Sequence, residues 1–353
     1  MLSPDTKPMR QGEELNEANL QAFLRENLDL KSDEIEILQF PAGSSNLTYL
    51  VKIDGEEFVL RRPPFGNTVK SAHDMKREFD VLGKLSKVYK PAPKPLVYCA
   101  DENVVGSEFY LMERRKGLII RGKSPKNLEE SKVLQRQVCE SFIENLAQLH
   151  LLDYEKIGLS ELGRPEGYAT RQVEGWTKRY FNAKTDDHAE FETTIKWLYQ
   201  NISNESGAAL VHNDYKFDNL MLNPENLPEI AAVLDWEMTT VGDPLMDLGT
   251  TLGYWMSMDA GMEMLSMPFN PRVLMENISR QELVEIYEEK SGKNISNILF
   301  YYVFGTFKIA VIAQQIYFRY ARGFTQDKRF ATFNRFVNAL GKIALKAIET
   351  EKI

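Results

Sequence analysis

Val211-His-Asn-Asp-Tyr-Lys-Phe-Asp-Asn-Leu-Met221, followed shortly by Ala232-Val-Leu-Asp-Trp-Glu237, is the stretch on which the reading of this sequence turns. Asp214 and Asn219 stand five residues apart, and Asp235 follows after sixteen more, at the end of an apolar run. Transfer of a phosphoryl group from a nucleotide asks for a carboxylate that accepts or positions the attacking hydroxyl. It also asks for oxygen ligands that hold Mg²⁺ against the phosphates. Asp214 suits the first task; Asn219 and Asp235 suit the second. Lys216 can bring an ammonium to the γ-phosphate as charge builds there. Residues 221–222 and 231–234 are strand-like runs, separated by Asn223-Pro-Glu-Asn-Leu-Pro228. They read as a hairpin expected to set Asn219 and Asp235 side by side. A histidine, aspartate and asparagine in this spacing also arise on ordinary polar loops; Asp235 at a strand end, at hairpin distance, lifts the pattern above that.

Outward from this centre the texture divides. Leu20, Phe23, Leu24 and Leu28 recur at helical spacing. Residues 35–40, 49–53 and 57–61 are short apolar or alternating runs, and Asp54-Gly55 between the last two is a hairpin signal. A helix over 71–85 comes next, with Met75, Phe79, Leu82 and Leu85 on one side, then two more strand-like runs at 96–100 and 108–113. Past Arg114 the pattern is mostly helical: 131–152, 191–201, 280–290, 297–322 and 328–348, with strand-like pieces only at 209–211, 221–222 and 231–234. The expectation is an α+β, bilobal chain. Residues 1–113 form a lobe of five antiparallel strands plus a helix, and residues 114–353 a mostly helical lobe carrying the central loop.

The bulk numbers agree with two folded domains: 353 residues, 43% hydrophobic and 27% charged. A formal charge of −8 argues against nucleic acid or an anionic membrane as partner, while a nucleotide site needs only a few local donors. Cys99 and Cys139 lack a CxxC spacing, which favours a reduced, cytoplasmic setting. The first fifteen residues hold no apolar signal region. The most apolar stretch, 295–307, reads as cut off by Lys308 and too short to span a bilayer.

The blocks HNDYKFDN, VLDWE and Gly242-Asp-Pro-Leu-Met-Asp-Leu248 together resemble the aminoglycoside phosphotransferase and choline-kinase-like family, a branch of the protein-kinase-like fold. The subgroup most similar is that of the kinase-like domains fused to some acyl-CoA dehydrogenases. Pro41-Ala-Gly-Ser-Ser-Asn-Leu-Thr-Tyr49, Phe58-Val-Leu-Arg-Arg-Pro-Pro64, Ala147-Gln-Leu-His150 and Phe307-Lys-Ile-Ala310 extend the resemblance over most of the chain. It implies Mg²⁺-dependent transfer of the γ-phosphoryl of ATP or GTP to a hydroxyl of a small molecule. It also implies roles for residues that spacing alone leaves open. Gly43, Ser44 and Ser45 fall where the nucleotide-covering loop lies, and would let backbone N–H groups approach phosphates; by themselves they read as a polar hairpin turn. Arg61 takes the strand position for the α- and β-phosphates, with Glu78 its partner; a strand-end surface charge, like the adjacent Arg62, is the plainer alternative. Met112-Glu113-Arg114 would be the hinge whose backbone bonds the purine edge.

Two departures stand out: arginine at 61 where lysine is usual, and Asn213 where glycine usually precedes the catalytic aspartate. His212 reads as a brace for the loop, and Asp243 and Asp247 as caps or backbone acceptors near a helix start.

The acceptor is read from residues 252–275, which hold Tyr254, Trp255, Phe269 and the methionines 256, 258, 262, 264, 267 and 275. Such side chains can line an adaptable apolar pocket, or simply pack over the helical lobe. Only Asp259 and Glu263 are acidic there, too few for a polycationic aminoglycoside. A partly apolar acceptor is expected, a hydroxyacyl compound among the candidates. Two other readings compete. A catalytically idle nucleotide-binding scaffold is kept alive by Arg61 and Asn213 and opposed by the intact Asp214, Lys216, Asn219 and Asp235. A protein kinase ranks last, because Asp243 follows Asp235 by eight residues and leaves no room for a long activation segment.

Overall fold

The computed structural model describes residues 5–28, 30, 34–41, 46–65, 74–121, 124–202, 206–256, 260–265 and 271–353. The chain divides into two units, Met1–Lys116 with Ala232–Glu237, and Gly117–Ala231 with Met238–Ile353. The short return of residues 232–237 to the first unit is absent from a simple division at residue 113.

In the first unit, α1 (Glu17–Asn27) precedes strands β1 (Ile35–Gln39), β2 (Leu47–Ile53) and β3 (Glu56–Arg62). Helix α2 (Met75–Leu85), β4 (Pro95–Cys99), α3 (Glu102–Val105) and β5 (Phe109–Glu113) complete it. The sheet runs β1-β2-β3-β5-β4 with every neighbouring pair antiparallel. Asp54 and Gly55 turn β2 into β3 with φ of +58° and +77°, the left-handed pair that matches strand twist in a two-residue hairpin. Alternation then sorts the side chains. Tyr49, Val51, Phe58, Leu60, Phe109 and Leu111 share one buried cluster with Leu20 and Leu24 of α1. Arg61, one step out of that phase, belongs to the opposite face. Helix α2 starts at Met75, where Asp74 accepts from the Arg77 N–H; residues 71–73 of the expected helix lie outside the described residues.

The second unit holds α4 (Lys126–Glu130), α5 (Lys132–His150), α6 (Tyr168–Ala183), α7 (Ala189–Gln200), β6 (Ala209–Val211), β7 (Leu220–Asn223) and β8 (Asn226–Val233), whose last two residues fall in the first unit. After them come β9 (Thr240–Gly242), α8 (Pro244–Tyr254), α9 (Met262–Leu265), α10 (Arg272–Met275), α11 (Arg280–Ser291), α12 (Ile298–Ala321) and α13 (Phe333–Thr350). Three features depart from the sequence reading. Strand β8 begins at Asn226, so the hairpin turns on two residues, Pro224 and Glu225, rather than on 223–228. Helix α8 is buried along its whole length, so it carries no polar face for a helical period to expose. And the apolar run is not cut off at Lys308: α12, the helix expected over 297–322, is 24 residues long in all and keeps Lys308 buried within it. By length and composition α12 could cross a membrane, but 78% of its apolar window is buried inside the protein. Here it is the core against which α6, α8 and α13 pack.

The α8–α12 crossing is set by two glycines. A Cβ on Gly249 would sit 2.1 Å from the Tyr301 carbonyl oxygen, and one on Gly305 would sit 2.1 Å from the Gly249 carbonyl oxygen. Backbone meets backbone, so nothing flexible can yield. An ordinary helical Gly→Ala change stabilises by about 1 kcal/mol. At this crossing overpacking works against that gain and costs about 1–3 kcal/mol or more. Gly305→Ala and Gly249→Ala should therefore lower the denaturant midpoint; an unchanged or raised midpoint for both would refute the close crossing.

Candidate active site

The loop between β6 and β7 is built on Asp247, which sequence reasoning read as a cap or a backbone acceptor and which is a backbone acceptor. Asp247, in the first turn of α8 and with no solvent exposure, accepts from the backbone N–H of His212 at 2.6 Å and of Asn213 at 2.8 Å. His150 at the end of α5 places Nε2 3.2 Å from Asp247, while its Nδ1 lies 2.7 Å from the Tyr287 hydroxyl. Burial opposes the Asp247 charge, but the His150 hydrogen bond and the charges around it hold its pKa below the usual carboxylate value. Its neighbour Asp243 caps α8 through the Leu245 N–H at 2.9 Å, and also accepts from Ser206 and Tyr301.

Asn213 sits at φ +67°, a left-handed conformation that asparagine tolerates better than most residues, so the missing glycine is accommodated. Its side chain is pinned on both ends: Nδ2 donates to the Met238 carbonyl at 3.1 Å, and the amide meets the Tyr168 hydroxyl. Its carbonyl accepts from Lys308 Nζ at 2.6 Å. His212 is wholly buried, and its Nδ1 accepts from the Asp214 N–H at 3.3 Å. It braces the loop.

These supports leave Asp214 with three side-chain donors. Lys216 Nζ and Asn219 Nδ2 reach Oδ2 at 2.7 and 2.9 Å, and the Tyr254 hydroxyl reaches Oδ1 at 2.8 Å. Asn219 Nδ2 also donates to the Asp214 carbonyl at 2.9 Å, so the amide nitrogen makes both bonds and its Oδ1 is left as the group a cation would meet. Burial pushes the Asp214 pKa up, yet the charge and hydrogen bond of Lys216 with that of Tyr254 outweigh it, and the net shift is downward. For Lys216, burial favours the neutral amine but the Asp214 carboxylate prevails, and its pKa rises. The pair is ionised.

In the first unit, Arg61 converges on three carboxylates. It donates to Asp235 Oδ1 at 2.9 Å, lies 3.5 Å from Glu78 Oε1 and 3.8 Å from Glu237 Oε2. Burial opposes its charge, but Glu78 heads the neighbours that keep the guanidinium protonated. Glu78 is buried too, and burial raises its pKa against the pull of Arg61. The plainer alternative of an exposed strand-end cation thus fails for Arg61, which is 8% exposed. Arg62 is buried as well, but differently: it donates to the Val105 carbonyl at 2.6 Å and lies over the Phe65 ring. Asp235 holds φ +67°, and Glu237 beside it accepts from Asn46 Nδ2 at 2.8 Å.

The remaining candidates divide. Gly43, Ser44 and Ser45 lie outside the described residues, as do Met258, Asp259, Met267 and Phe269. Met112 stands opposite Val59 in the sheet. Arg114 pairs with Asp5 and Glu57, each at 3.1 Å. Trp255, Met256 and Met264 are core, with the Trp255 ring tilted against Phe142 and Phe217, while Met262 is exposed. Among these described side chains, the packing role wins over the pocket-lining one. Sequence reasoning missed the Tyr254 bond to Asp214, which no local pattern announces across forty positions. It also missed Lys308, although a lone lysine inside an apolar helical run is a signal that something polar must meet it.

Lys308 supplies a pH test. Burial pushes its pKa down to about 8, against the favourable pull of Asp247 and Asp214. Between that value and the ordinary 10.5 the unfolded chain binds the proton and the folded chain does not, so stability from this group rises with pH. The unfolding free energy of the native protein relative to Lys308→Met should therefore grow between about pH 8 and pH 10. A flat difference across that window would refute the assignment.

The sequence profile of the phosphotransferase enzyme family matches residues 36–267. Acyl-CoA dehydrogenase family member 11 of Gallus gallus is 33% identical over 353 residues, which is 98% of this chain and 45% of that protein. The chain spans less than half the length of the curated relatives it matches. Among solved structures, a candidate aminoglycoside phosphotransferase from Ralstonia eutropha aligns with a TM-score of 0.80 at 27% identity, covering 96% of this chain and 99% of that one. Aminoglycoside phosphotransferase APH(4)-Ia, in a ternary complex with ADP and hygromycin B, aligns at 0.60 and 13% identity over 93% and 98%. That second likeness speaks for the fold alone. With the profile covering well over half of the chain, and an antiparallel five-stranded sheet joined to a helical remainder, the chain belongs to the phosphotransferase enzyme family and has its protein-kinase-like fold.

Proposed function

We propose that this chain is a Mg²⁺-dependent small-molecule kinase that moves the γ-phosphoryl group of ATP or GTP to a hydroxyl. The observation that carries the reading is the Asp214 carboxylate, fixed by Lys216, Asn219 and Tyr254 and kept ionised in a buried setting. A base held in this way can orient an acceptor hydroxyl and take its proton. Lys216 offers positive charge to the transferring group. Arg61, backed by Glu78, offers a guanidinium to the donor phosphates. Asn219 and Asp235 present oxygen donors of the hard kind that Mg²⁺ prefers, and the orientation of the Asn219 amide fits that task. Bound there, the metal would neutralise phosphate charge. Ser44 and Ser45 remain candidates for covering the nucleotide, and the backbone from Met112 to Arg114 for holding its base. The idle-scaffold reading draws on one observation, the Arg61–Asp235 pair, which ties a phosphate ligand to a metal ligand. The ordered set around Asp214 favours activity, since a scaffold has no use for an ionised, three-donor carboxylate.

Asp214→Asn and Asp235→Asn separate the roles. Asparagine accepts the φ of +67° at 235, so the backbone is not the variable there. Asp235→Asn should weaken Mg²⁺-nucleotide binding, read as a smaller thermal shift with MgATP or MgGTP than the native protein gives. Asp214→Asn should keep that shift and lose turnover by about 10²–10⁴-fold. If neither nucleotide stabilises the native protein, with Mg²⁺ or with EDTA, the kinase reading is wrong.

For the acceptor, we favour a partly apolar hydroxy compound, hydroxyacyl species included. Relatives named as acyl-CoA dehydrogenase family members support this, as does the scarcity of carboxylates in residues 252–275. A polycation would leave ammonium groups unpaired, each costing about 1–3 kcal/mol. Side by side, hydroxy acids and their CoA thioesters should be phosphorylated more efficiently than kanamycin-like aminoglycosides; the reverse order would overturn the acceptor class and leave the kinase assignment standing.

A further inference from the structure

We infer that Tyr254 is the acceptor gate of this site: its hydroxyl holds the place on Asp214 Oδ1 that water would otherwise take, and an incoming acceptor hydroxyl displaces it. The inference rests on the phosphotransferase reading and deepens it. Lys216 and Asn219 both bond Oδ2, whereas the Tyr254 hydroxyl reaches Oδ1 at 2.8 Å. A hydroxyl oxygen 2.8 Å from the base, its proton directed at it, is the arrangement an acceptor must adopt. Tyr254 therefore mimics the ligand it excludes.

The surroundings make this more than a stray contact. Tyr254 is 3% exposed, and the Lys216 ammonium lies 4.7 Å from its ring centroid, so the phenol is gripped on its face as well as its tip. The Asp214 side chain keeps 15% of its exposure, so the carboxylate is within reach of solvent once Oδ1 is vacated. Tyr254 is also the last residue of α8, so the ring stands at the helix end beside the loop. A kinase must keep water from its base while no acceptor is present, since water is the competing nucleophile.

Tyr254→Phe removes one oxygen and leaves a polar slot about the size of a water between Oδ1 and Lys216. A water there completes a balanced step. Its oxygen bonds the γ-phosphorus, the bond to the bridging oxygen breaks, and the electron pair leaves with the nucleoside diphosphate. The water proton passes to Asp214 and on to solvent.

The experiment measures diphosphate release from MgATP and MgGTP without acceptor, with nucleotide affinity measured in parallel. Tyr254→Phe should raise acceptor-independent hydrolysis about tenfold or more while nucleotide affinity stays within about twofold. The rise should vanish in Tyr254→Phe combined with Asp214→Asn. Hydrolysis at saturating nucleotide that does not rise, or a rise that survives Asp214→Asn, overturns the gate alone. Native protein that binds neither nucleotide overturns the gate and the kinase reading together. Tyr254→Leu, with the same readouts and the same expected rise, decides the matter should the Phe variant melt below assay temperature.

Discussion

The second unit hangs its chemistry on one buried carboxylate. Asp247 receives the N–H groups of two successive loop residues, and an anion wholly removed from water is costly unless such donors surround it. The same carboxylate gives the buried His150 ring one of its two polar partners. It also explains why α5, α8 and α11 must meet at one point, through His150, Asp247 and Tyr287. Lys308 closes the arrangement from α12 by holding the Asn213 carbonyl. Removing Asp247 would take the acceptor from two backbone donors and the partner from His150 Nε2 at once. The loop that carries Asp214 is thus a consequence of helix packing rather than of its own sequence.

Packing in turn depends on how close the helices come. Gly249 lies two residues beyond Asp247 on α8, and Gly305 three residues before Lys308 on α12. The crossing of the two glycines brings the polar groups of both helices into bonding range of the loop. A larger residue at either position would move Asp247 and Lys308 apart. The site therefore inherits its geometry from two absent side chains, which is why the polar cluster and the close crossing fall in the same few turns.

The first unit meets a different constraint. Arg61 stands among Glu78, Asp235 and Glu237, so a single cation balances several carboxylates in a buried place. Arginine suits this better than lysine, since its planar fork can serve more than one partner while staying protonated. Breaking such a group by removing one member leaves uncompensated charge, at a cost of about 3–5 kcal/mol. The departure from the usual lysine is accommodated by these surroundings.

Local pattern carried much of this protein. The period-two runs and the Asp54-Gly55 turn mark the sheet, because alternation and turn chemistry are properties of neighbouring residues. The spacing of Asp214, Lys216 and Asn219 announces their shared loop for the same reason: all three lie within six residues and meet at 2.7–2.9 Å. Helix α8 left only the aspartates near its start as a sign, because a helix buried on every side shows no period; α12 showed its period over 297–322, but its Lys308 looked like the end of the apolar run. Only the folded chain supplies the carbonyl that Lys308 meets. Tyr254 shows the limit most clearly. Its sequence position offered an aromatic for a pocket wall, whereas its bond to Asp214 exists because α8 ends beside the loop. Sequence determines which groups are available and the short-range order they take; which distant groups share one carboxylate is decided by the packing of helices, since that alone brings residues forty positions apart within a hydrogen bond.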